Sequence, residues 1–592
     1  MSSPGDSLSS ASVHSIEPTA AAAAAADSVD ELIQKHYEPG AIYNGNLRQF
    51  NTLSEKRIRQ LCSAIRGKVD WMTKMKDAEV RTHWISEATQ QEPELTGKEL
   101  DYVFEELEYC ATLHTPGNGI HLSSVEKVWI SDSLIDKDTE EEVKRYAAKL
   151  EDVPARERDW HPNSNNQVLN LVHPSLCPIV YERSMILDKP IESPEAALQL
   201  KSFGECPGSF DKWRDAVAKI STDKGTEYYF PKKKIRSYEY TSNFISTKYC
   251  WLPTEFWVND DGSSEVKSYI NNLHPVRHKE FYPTVAKVFS KFVPLLEQVV
   301  TDLAYPRDER VKPDVYNWHV AEDTEPEDYD ASDYEDRHDE WLESRQFVHP
   351  QPEPFVAPDR PTEPCSLRGR KLQAIFKMSN IQLTPENPEY EGGSWHVEAM
   401  ANERIIATGI YYYDVENVTE SDLAFRESID QYLHYEQHDG EGVRLGYGLD
   451  ADYDNEENMV QSVGQVETKN GRCIVFPNIY QHKVGGFKLV DPTKPGHRKI
   501  FAFFFIDPST RIPSTEIVPP QQQDWWTETF ADGNPISELP SLVQSLVYSN
   551  VSFPISLDDA KQIRLDLMAE RTAGNEGAAG ELFAPTFTLC EH

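Results

Sequence analysis

Gly392-Gly393-Ser394-Trp395-His396-Val397-Glu398 and, farther on, Gly471-Arg-Cys-Ile-Val-Phe476-Pro477-Asn478-Ile-Tyr-Gln-His482-Lys-Val484, running on to Gly496-His497-Arg498-Lys499-Ile500-Phe501, decide how this chain reads. In a strand, residues i and i+2 face one side, so His396 and Glu398 aim at one point. His482, just past the apolar run from Cys473 to Phe476, is placed to supply a third ligand. Two imidazoles and one carboxylate occupy one face of an octahedral Fe(II) and leave three positions open. Arg498 lies 16 residues beyond His482 and opens a strand. It offers a distant carboxylate the bidentate grip that lysine lacks. Ile500, Ala502 and Phe504 share its face and are placed to keep water out.

Each part alone is weak. His-x-Glu begins at five of the 18 histidines: His36, His278, His338, His396 and His434. His434-Tyr435-Glu436 is the chief internal competitor, but it borders an acidic loop instead of an apolar strand. By itself His482 reads as a structural histidine and Arg498 as a strand-end ion pair. Around the site, Trp395, Asn380, Tyr411 and Tyr413 are candidates to line a pocket, with Asn380 and Tyr411 assigned to the cosubstrate. Core packing is the plainer reading of the tyrosines. Arg426 is a second-choice clamp. Asp414 and Glu416, placed near the expected pocket mouth, favour a cationic or neutral substrate, either a small molecule or a protein side chain.

Composition narrows the class. The 592 residues are too many for one ordinary core. A hydrophobic fraction of 39% with a mean hydropathy of -0.60 fits a soluble chain with polar insertions. No run of about 18 apolar residues is present, so no membrane span is expected. The Ala20–Ala26 tract is followed at once by Asp27 and lacks a cationic leader, which reads as low-complexity tail, not a secretion signal. Eight scattered cysteines without a Cys-x-x-Cys pair suit buried free thiols in an intracellular compartment, cytoplasmic or nuclear. With 59 basic against 98 acidic residues, net -39, nucleic acid is a poor partner. Glu322–Glu343 alone holds 12 acids and one arginine, a solvated linker or else a docking site for a basic partner. Oligomeric state is not legible.

In chain order, residues 1–40 read as a disordered tail and 41–154 as a helical region. There Ser54 is expected to cap a helix ending at Gly67, Lys98–Leu113 forms a second, and Thr139-x-x-Glu142 is a capping box for a third. Residues 155–320 mix strands (Gln167–Val172, Glu227–Phe230, Ser237–Phe244, Glu255–Val258, Val266–Ile270) with a helix over Thr284–Leu303 that Pro294 should kink or end. Residues 321–366 form an acidic, Pro-rich linker or insertion. Residues 367–530 form the strand-rich core, in which Lys371–Leu383 slips phase near Ser379 and so predicts a β-bulge. Residues 531–572 carry two helices (Ser537–Tyr548 and Leu557–Arg571, the latter capped by Ser556), and 573–592 a flexible tail. The fold class expected is α+β, a jelly-roll core with a helical envelope.

The run Gly-x-x-x-x-Phe-Pro-Asn, then His-x-Val, then Gly-x-Arg with an apolar strand resembles the distal half of the 2-oxoglutarate/Fe(II)-dependent oxygenase superfamily, notably its prolyl-hydroxylase-like branch. The resemblance implies a double-stranded β-helix, Fe(II), 2-oxoglutarate as cosubstrate, and hydroxylation or oxidative demethylation. It assigns His396, Glu398 and His482 as metal ligands and Arg498 as the cosubstrate clamp. Most members have His-x-Asp; Glu398 is one methylene longer. Over residues 45–530 the chain is also similar to an uncharacterised, mainly fungal domain-of-unknown-function family (number 4246). The resembling segments include Asp159-Trp-His-Pro162, Leu171-Val-His-Pro-Ser175, Tyr269-Ile-Asn-Asn-Leu-His-Pro275, Asn380–Glu398 and Arg511-Ile-Pro-Ser-Thr515. Two functions stay open: a dioxygenase, or a jelly-roll binding or scaffolding protein that keeps the fold without turnover.

Overall fold

The computed structural model describes residues 48–115, 117–224, 228–230, 245–329, 332–430, 433–437, 439–450, 457–529, 539–540, 542–543, 546–547, 552–576 and 586–587. The N-terminal helices are α1 (Leu53–Arg66), α2 (Gly97–Thr112) and α3 (Lys137–Glu151). Their starts differ from expectation because a nearer acceptor takes each cap. Thr52, not Ser54, caps α1 by accepting the Glu55 N–H at 3.2 Å, while the Ser54 hydroxyl donates to Glu99. α3 is capped by Asp136, whose carboxylate accepts both the N–H and the hydroxyl of Thr139 (2.9 and 2.7 Å); Glu142 instead accepts from the Thr284 hydroxyl. At α2, Thr96 and Glu99 form a complete capping box.

The sheet-forming part comprises β1 (Trp129–Ser131), β2 (Val168–Val172), β3 (Thr254–Val258), β4 (Arg370–Leu383), β5 (Ile405–Glu416), β6 (Asp422–Ser428), β7 (Val460–Glu467), β8 (Cys473–Pro477), β9 (Gln481–Val484) and β10 (Gly496–Ile506). A ten-stranded antiparallel sheet has the central order β1-β8-β5-β10-β4-β2, with β3 also on β4. A second, three-stranded antiparallel sheet runs β7-β6-β9. The α+β class expected from sequence is met by this mixture of helices and a large antiparallel sheet.

Alternation along β10 shows how the layers stack. Phe501, Phe503 and Phe505 turn toward α4 (Tyr282–Ala304), where Phe503 meets Phe289 at a ring-centroid distance of 5.2 Å and Phe289 stacks on Phe256 at 4.0 Å. Ala502 turns the other way and packs with Tyr412, Phe476, Leu423, Phe425 and Val466, side chains of both sheets. The two sheets therefore face one another, and α4 covers the outer face of the larger. Helix α5 (Leu557–Glu576) sends Leu567 against Ile375, Ile405 and Phe504 on the inner face, and Ser556 caps it as expected.

Pro294 does not end α4: Phe289 and Phe292 before it and Leu296 after it join one core cluster, and packing on both sides holds one helix. The phase slip in β4 is real, as a register shift between Met378 and Ser379 against β2. The strand expected at Val266–Ile270 is shorter and earlier, Ser264–Val266. The acidic segment includes a helix, Tyr334–Ser344. The expected strand over Ser237–Phe244, the start of that over Glu227–Phe230, residues 1–40 and most of Ser537–Tyr548 lie outside the described residues. Of the described cysteines only Cys206 is exposed; the others are buried and free. Among the described residues no helix is long and apolar enough to cross a membrane.

Because Phe289 joins α4 to both β3 and β10, Phe289→Ala is expected to destabilise the protein by about 3–5 kcal/mol. Chemical denaturation measures it; a loss below about 1 kcal/mol would contradict this packing.

Candidate metal centre

The site forms where a loop edge adds to β9. Gly392 (φ 105°) approaches so closely that a Cβ there would stand 2.7 Å from the Val484 carbonyl oxygen, which also accepts the Gly393 N–H at 3.0 Å. Next, His396 and His482 exchange both backbone hydrogen bonds, at 3.2 and 2.9 Å. Opposed residues share a face, and their ring centroids lie 4.3 Å apart. Glu398, two residues on, brings its Oε1 to 3.4 Å from His482 Nε2 and 3.9 Å from His396 Nε2.

The three side chains offer donor atoms all within 4.8 Å of one another, and no other such group of three His, Cys, Asp or Glu exists among the described residues. Ligands bonded at about 2.1 Å and 90° apart sit roughly 3.0 Å from each other, so small side-chain adjustments suffice. His396 donates its Nδ1–H to the Ser394 carbonyl (2.8 Å), which leaves the Nε2 lone pair free. The buried Nδ1 of His482 has no hydrogen-bond partner, so protein atoms alone do not satisfy this imidazole. Burial, then the neighbouring His482, pushes His396 down to about 4, against the pull of Glu398. For Glu398, burial acts upward but is outweighed by the His482 hydrogen bond and nearby positive charge, which hold the carboxyl at about 2. Near neutral pH His396 is thus neutral and Glu398 ionised, the forms that bind a divalent cation.

Asn478 positions the acid. Its side-chain oxygen accepts the Glu398 N–H at 2.9 Å, and its amide donates to the carbonyls of Glu398 (3.1 Å) and Ile405 (3.2 Å). The Phe-Pro-Asn run had flagged this residue without giving it a task. Phe476 and Phe425 line the same side, Phe476 at 4.8 Å from the His482 ring and Phe425 opposite His482 in the register.

Arg498 is buried on the inner face of the large sheet, with the Phe487 and Tyr412 rings 4.4 and 5.7 Å from its guanidinium. Its Nη1 donates to Ser421 Oγ and Thr468 Oγ1, both at 3.1 Å, its Nε is unpartnered, and no carboxylate pairs with it among the described residues. A buried guanidinium without a counter-charge is costly and suits a bound anion.

Other candidates fall elsewhere. Asn380 and Tyr411 do not join the site: they lie on the α4 side of the sheet. Tyr411 belongs to the α4 core, and Asn380 bonds Glu151 (2.8 Å) and Tyr413 (3.0 Å). One residue along β5, Tyr412 is the tyrosine that faces inward. Asp414 is tied to His497, Lys499 and Lys144 on the outer side, and Glu416 stands opposite His497, so neither guards the site. Arg426 stands opposite Gln481, on the reverse face from His482, and stacks over Trp395 at 4.7 Å. His434 is exposed and joins no group of three such donors among the described residues.

Two outcomes follow from this geometry. Asn478→Ala should weaken divalent-metal affinity roughly 10- to 100-fold, read by calorimetric titration; unchanged affinity would remove its positioning role. His396 titrates near 4 when folded and near 6.5 when unfolded, so the unfolded chain takes the proton first as pH falls. Its contribution to stability is complete above about 6.5 and is lost between about 6.5 and 4. In metal-free protein the fall in melting temperature over that window should shrink in His396→Gln; an identical fall would contradict the assignment.

Similarity to known proteins is of two kinds. Solved structures with local likeness are IDO from Bacillus thuringiensis (10% identity, TM-score 0.15, 23% of this chain and 46% of that one), the Fe(II)/(alpha)ketoglutarate-dependent dioxygenase TqaL (9%, 0.20, 43% and 66%) and a bsmA homolog from Methylobium petroleophilum (8%, 0.15, 25% and 45%). The matched part is under two thirds of each of those chains, and TM-scores this low decide neither fold nor chemistry. No curated protein matches the chain. Residues 97–529, well over half of its length, match the family described as "Protein of unknown function (DUF4246)", and to that family this chain belongs.

Proposed function

We propose that the protein is an Fe(II)/2-oxoglutarate-dependent dioxygenase of hydroxylase or demethylase type. The observation that carries this reading is the convergence of His396, Glu398 and His482 on one point between two facing sheets. The strand order supports it. From β4 to β10 the chain visits the large sheet (β4), the edge of the small sheet (the His396 segment), then large (β5), small (β6, β7), large (β8), small (β9) and large (β10). Such alternation between two antiparallel sheets suits a double-stranded β-helix, with the ligands at one end of the small sheet.

When bound, Fe(II) with 2-oxoglutarate supplies O₂ activation coupled to release of CO₂ and succinate. The chain's own share is to hold and shield. His396, Glu398 and His482 would hold the ion through two imidazoles and one carboxylate. Asn478 fixes the backbone of Glu398, whose longer side chain otherwise has more freedom than an aspartate. Arg498, its Nη1 held by Ser421 and Thr468 and its Nε unpartnered, would receive the far carboxylate. Phe425, Phe476, Tyr412 and Phe487 exclude water and strengthen that contact.

Anaerobic addition of Fe(II) and 2-oxoglutarate should produce a weak visible charge-transfer band, and exposure to O₂ should release succinate even without substrate. His396→Ala should abolish both, and Arg498→Met should raise the KM for 2-oxoglutarate at least about tenfold, the loss expected of a charge-assisted contact. Equal succinate release from His396→Ala would rule the reading out.

A further inference from the structure

The inner face of the large sheet carries two cations, Arg498 and Lys377, in a chain of net charge -39. Lys377 of β4 stands opposite Ala502 of β10, so it points between the sheets. It is partly buried and makes no ion pair or hydrogen bond among the described residues. Its charge acts on four groups at once: His161, His173, His396 and Glu398. Lys377 therefore lies near both the metal centre and a second histidine pair.

That pair comes from the segment preceding β2 and from the residue following it. The His161 and His173 rings lie 5.2 Å apart. Asn170, whose side-chain amide donates to Asp159 at 3.2 Å, stands opposite Ser379, which shares the inner face with Lys377. The Ser175 N–H donates to His173 Nδ1 at 3.2 Å, which leaves the proton of the neutral ring on Nε2. Burial, then Lys377, lowers His161 to about 4 and His173 well below its ordinary value, so both rings are neutral donors at physiological pH. From α5, Arg564 reaches the same corner, but its charge is matched by Asp159 at 2.6 Å. With both imidazoles neutral, Arg564 paired and Glu398 placed to hold a metal ion, Lys377 is the cation of this corner that no carboxylate contacts among the described residues. One such cation flanked by neutral donors suits a monoanion; a phosphate dianion finds only half its charge met.

We propose that the substrate of this site is a small monocarboxylate whose carboxylate docks on Lys377 beside His161 and His173, with the rest of the molecule held toward His396, Glu398 and His482. Its fate at the metal rests on the dioxygenase reading; its docking does not. The proposal reverses the expectation of a cationic or neutral substrate, because the acids behind that expectation, Asp414 and Glu416, lie on the other side of the sheet. It also gives the N-terminal half and α5 a task, since they bring the second wall.

The test compares short N-acyl amino acids, from N-acetylglycine to N-acetylleucine, with their uncharged carboxamides. In metal-free full-length protein, amine labelling of Lys377 is followed by peptide mass spectrometry. At least one acid should slow labelling of Lys377 about tenfold while its amide does not. In protein loaded with Fe(II) and 2-oxoglutarate, that acid should bind at least about tenfold more weakly to Lys377→Met, with recovery in Lys377→Arg and an unchanged iron band. Equal protection by acid and amide, protection by neither, or undiminished binding to Lys377→Met overturns the proposal. Because the labelling arm uses no metal, protection of Lys377 alongside an absent iron band refutes the dioxygenase reading alone.

Discussion

The backbone pairing of His396 with His482 is the constraint on which this site depends. Side chains alternate along an extended chain, so a one-residue slip in that pairing would turn one imidazole to the outer face and carry Glu398 out of register. Several features hold the register. Gly392 permits the close approach to Val484, Asn478 brackets Glu398 from the neighbouring turn, and Phe425 of β6 meets His482 from the other side of β9. The remainder of the fold keeps those strands in place: α4 packs its phenylalanines on β10 and clamps the large sheet from outside.

Charge is sorted by face. On the outer side of the large sheet Asp414 satisfies His497, Lys499 and Lys144, while farther out Arg310 gathers Glu55, Glu106 and Glu126 to tie α1 and α2 to the segment after α4. Such networks are closed, with every charge opposed, and their role is architectural. Between the sheets the bookkeeping is left open. Among the described residues Arg498 has hydroxyl partners but no carboxylate and Lys377 has no hydrogen-bond or ion-pair partner, while Glu398 faces two neutral-capable imidazoles. A protein of net charge -39 thus keeps two cations without a contacting carboxylate among the described residues between its sheets, and under the proposed function that local arrangement would bear on substrate choice more than the total charge.

Much of this was legible in the sequence because it rested on short periods. The i, i+2 spacing of His396 and Glu398, the apolar alternation of β10 and the phase slip at Ser379 are local signals, and each has a structural counterpart. Helix starts were less legible, since Thr52 and Asp136 compete with Ser54 and Thr139 for the same caps, and a difference of a few residues costs little free energy. The face assignment of Asn380 and Tyr411 could not be read locally. It depends on register against β10 and on a second irregularity in β5 near Tyr412, neither of which leaves a mark in composition. Lys377, His161 and His173 were beyond reach for the same reason. Three unrelated stretches meet only when β2 pairs with β4, although the segments holding His161 and His173 were among those that resemble the family.

Metal binding by the His396, Glu398 and His482 group is the property on which the proposed chemistry depends. Titration of the metal-free full-length chain with Co(II), followed by visible absorption, tests this most directly. One ion per chain is expected, with the weak bands of a nitrogen- and oxygen-ligated octahedral site, and both the bands and the stoichiometric binding should vanish in His482→Ala. No bound Co(II), or the same spectrum and stoichiometry in His482→Ala, would contradict it.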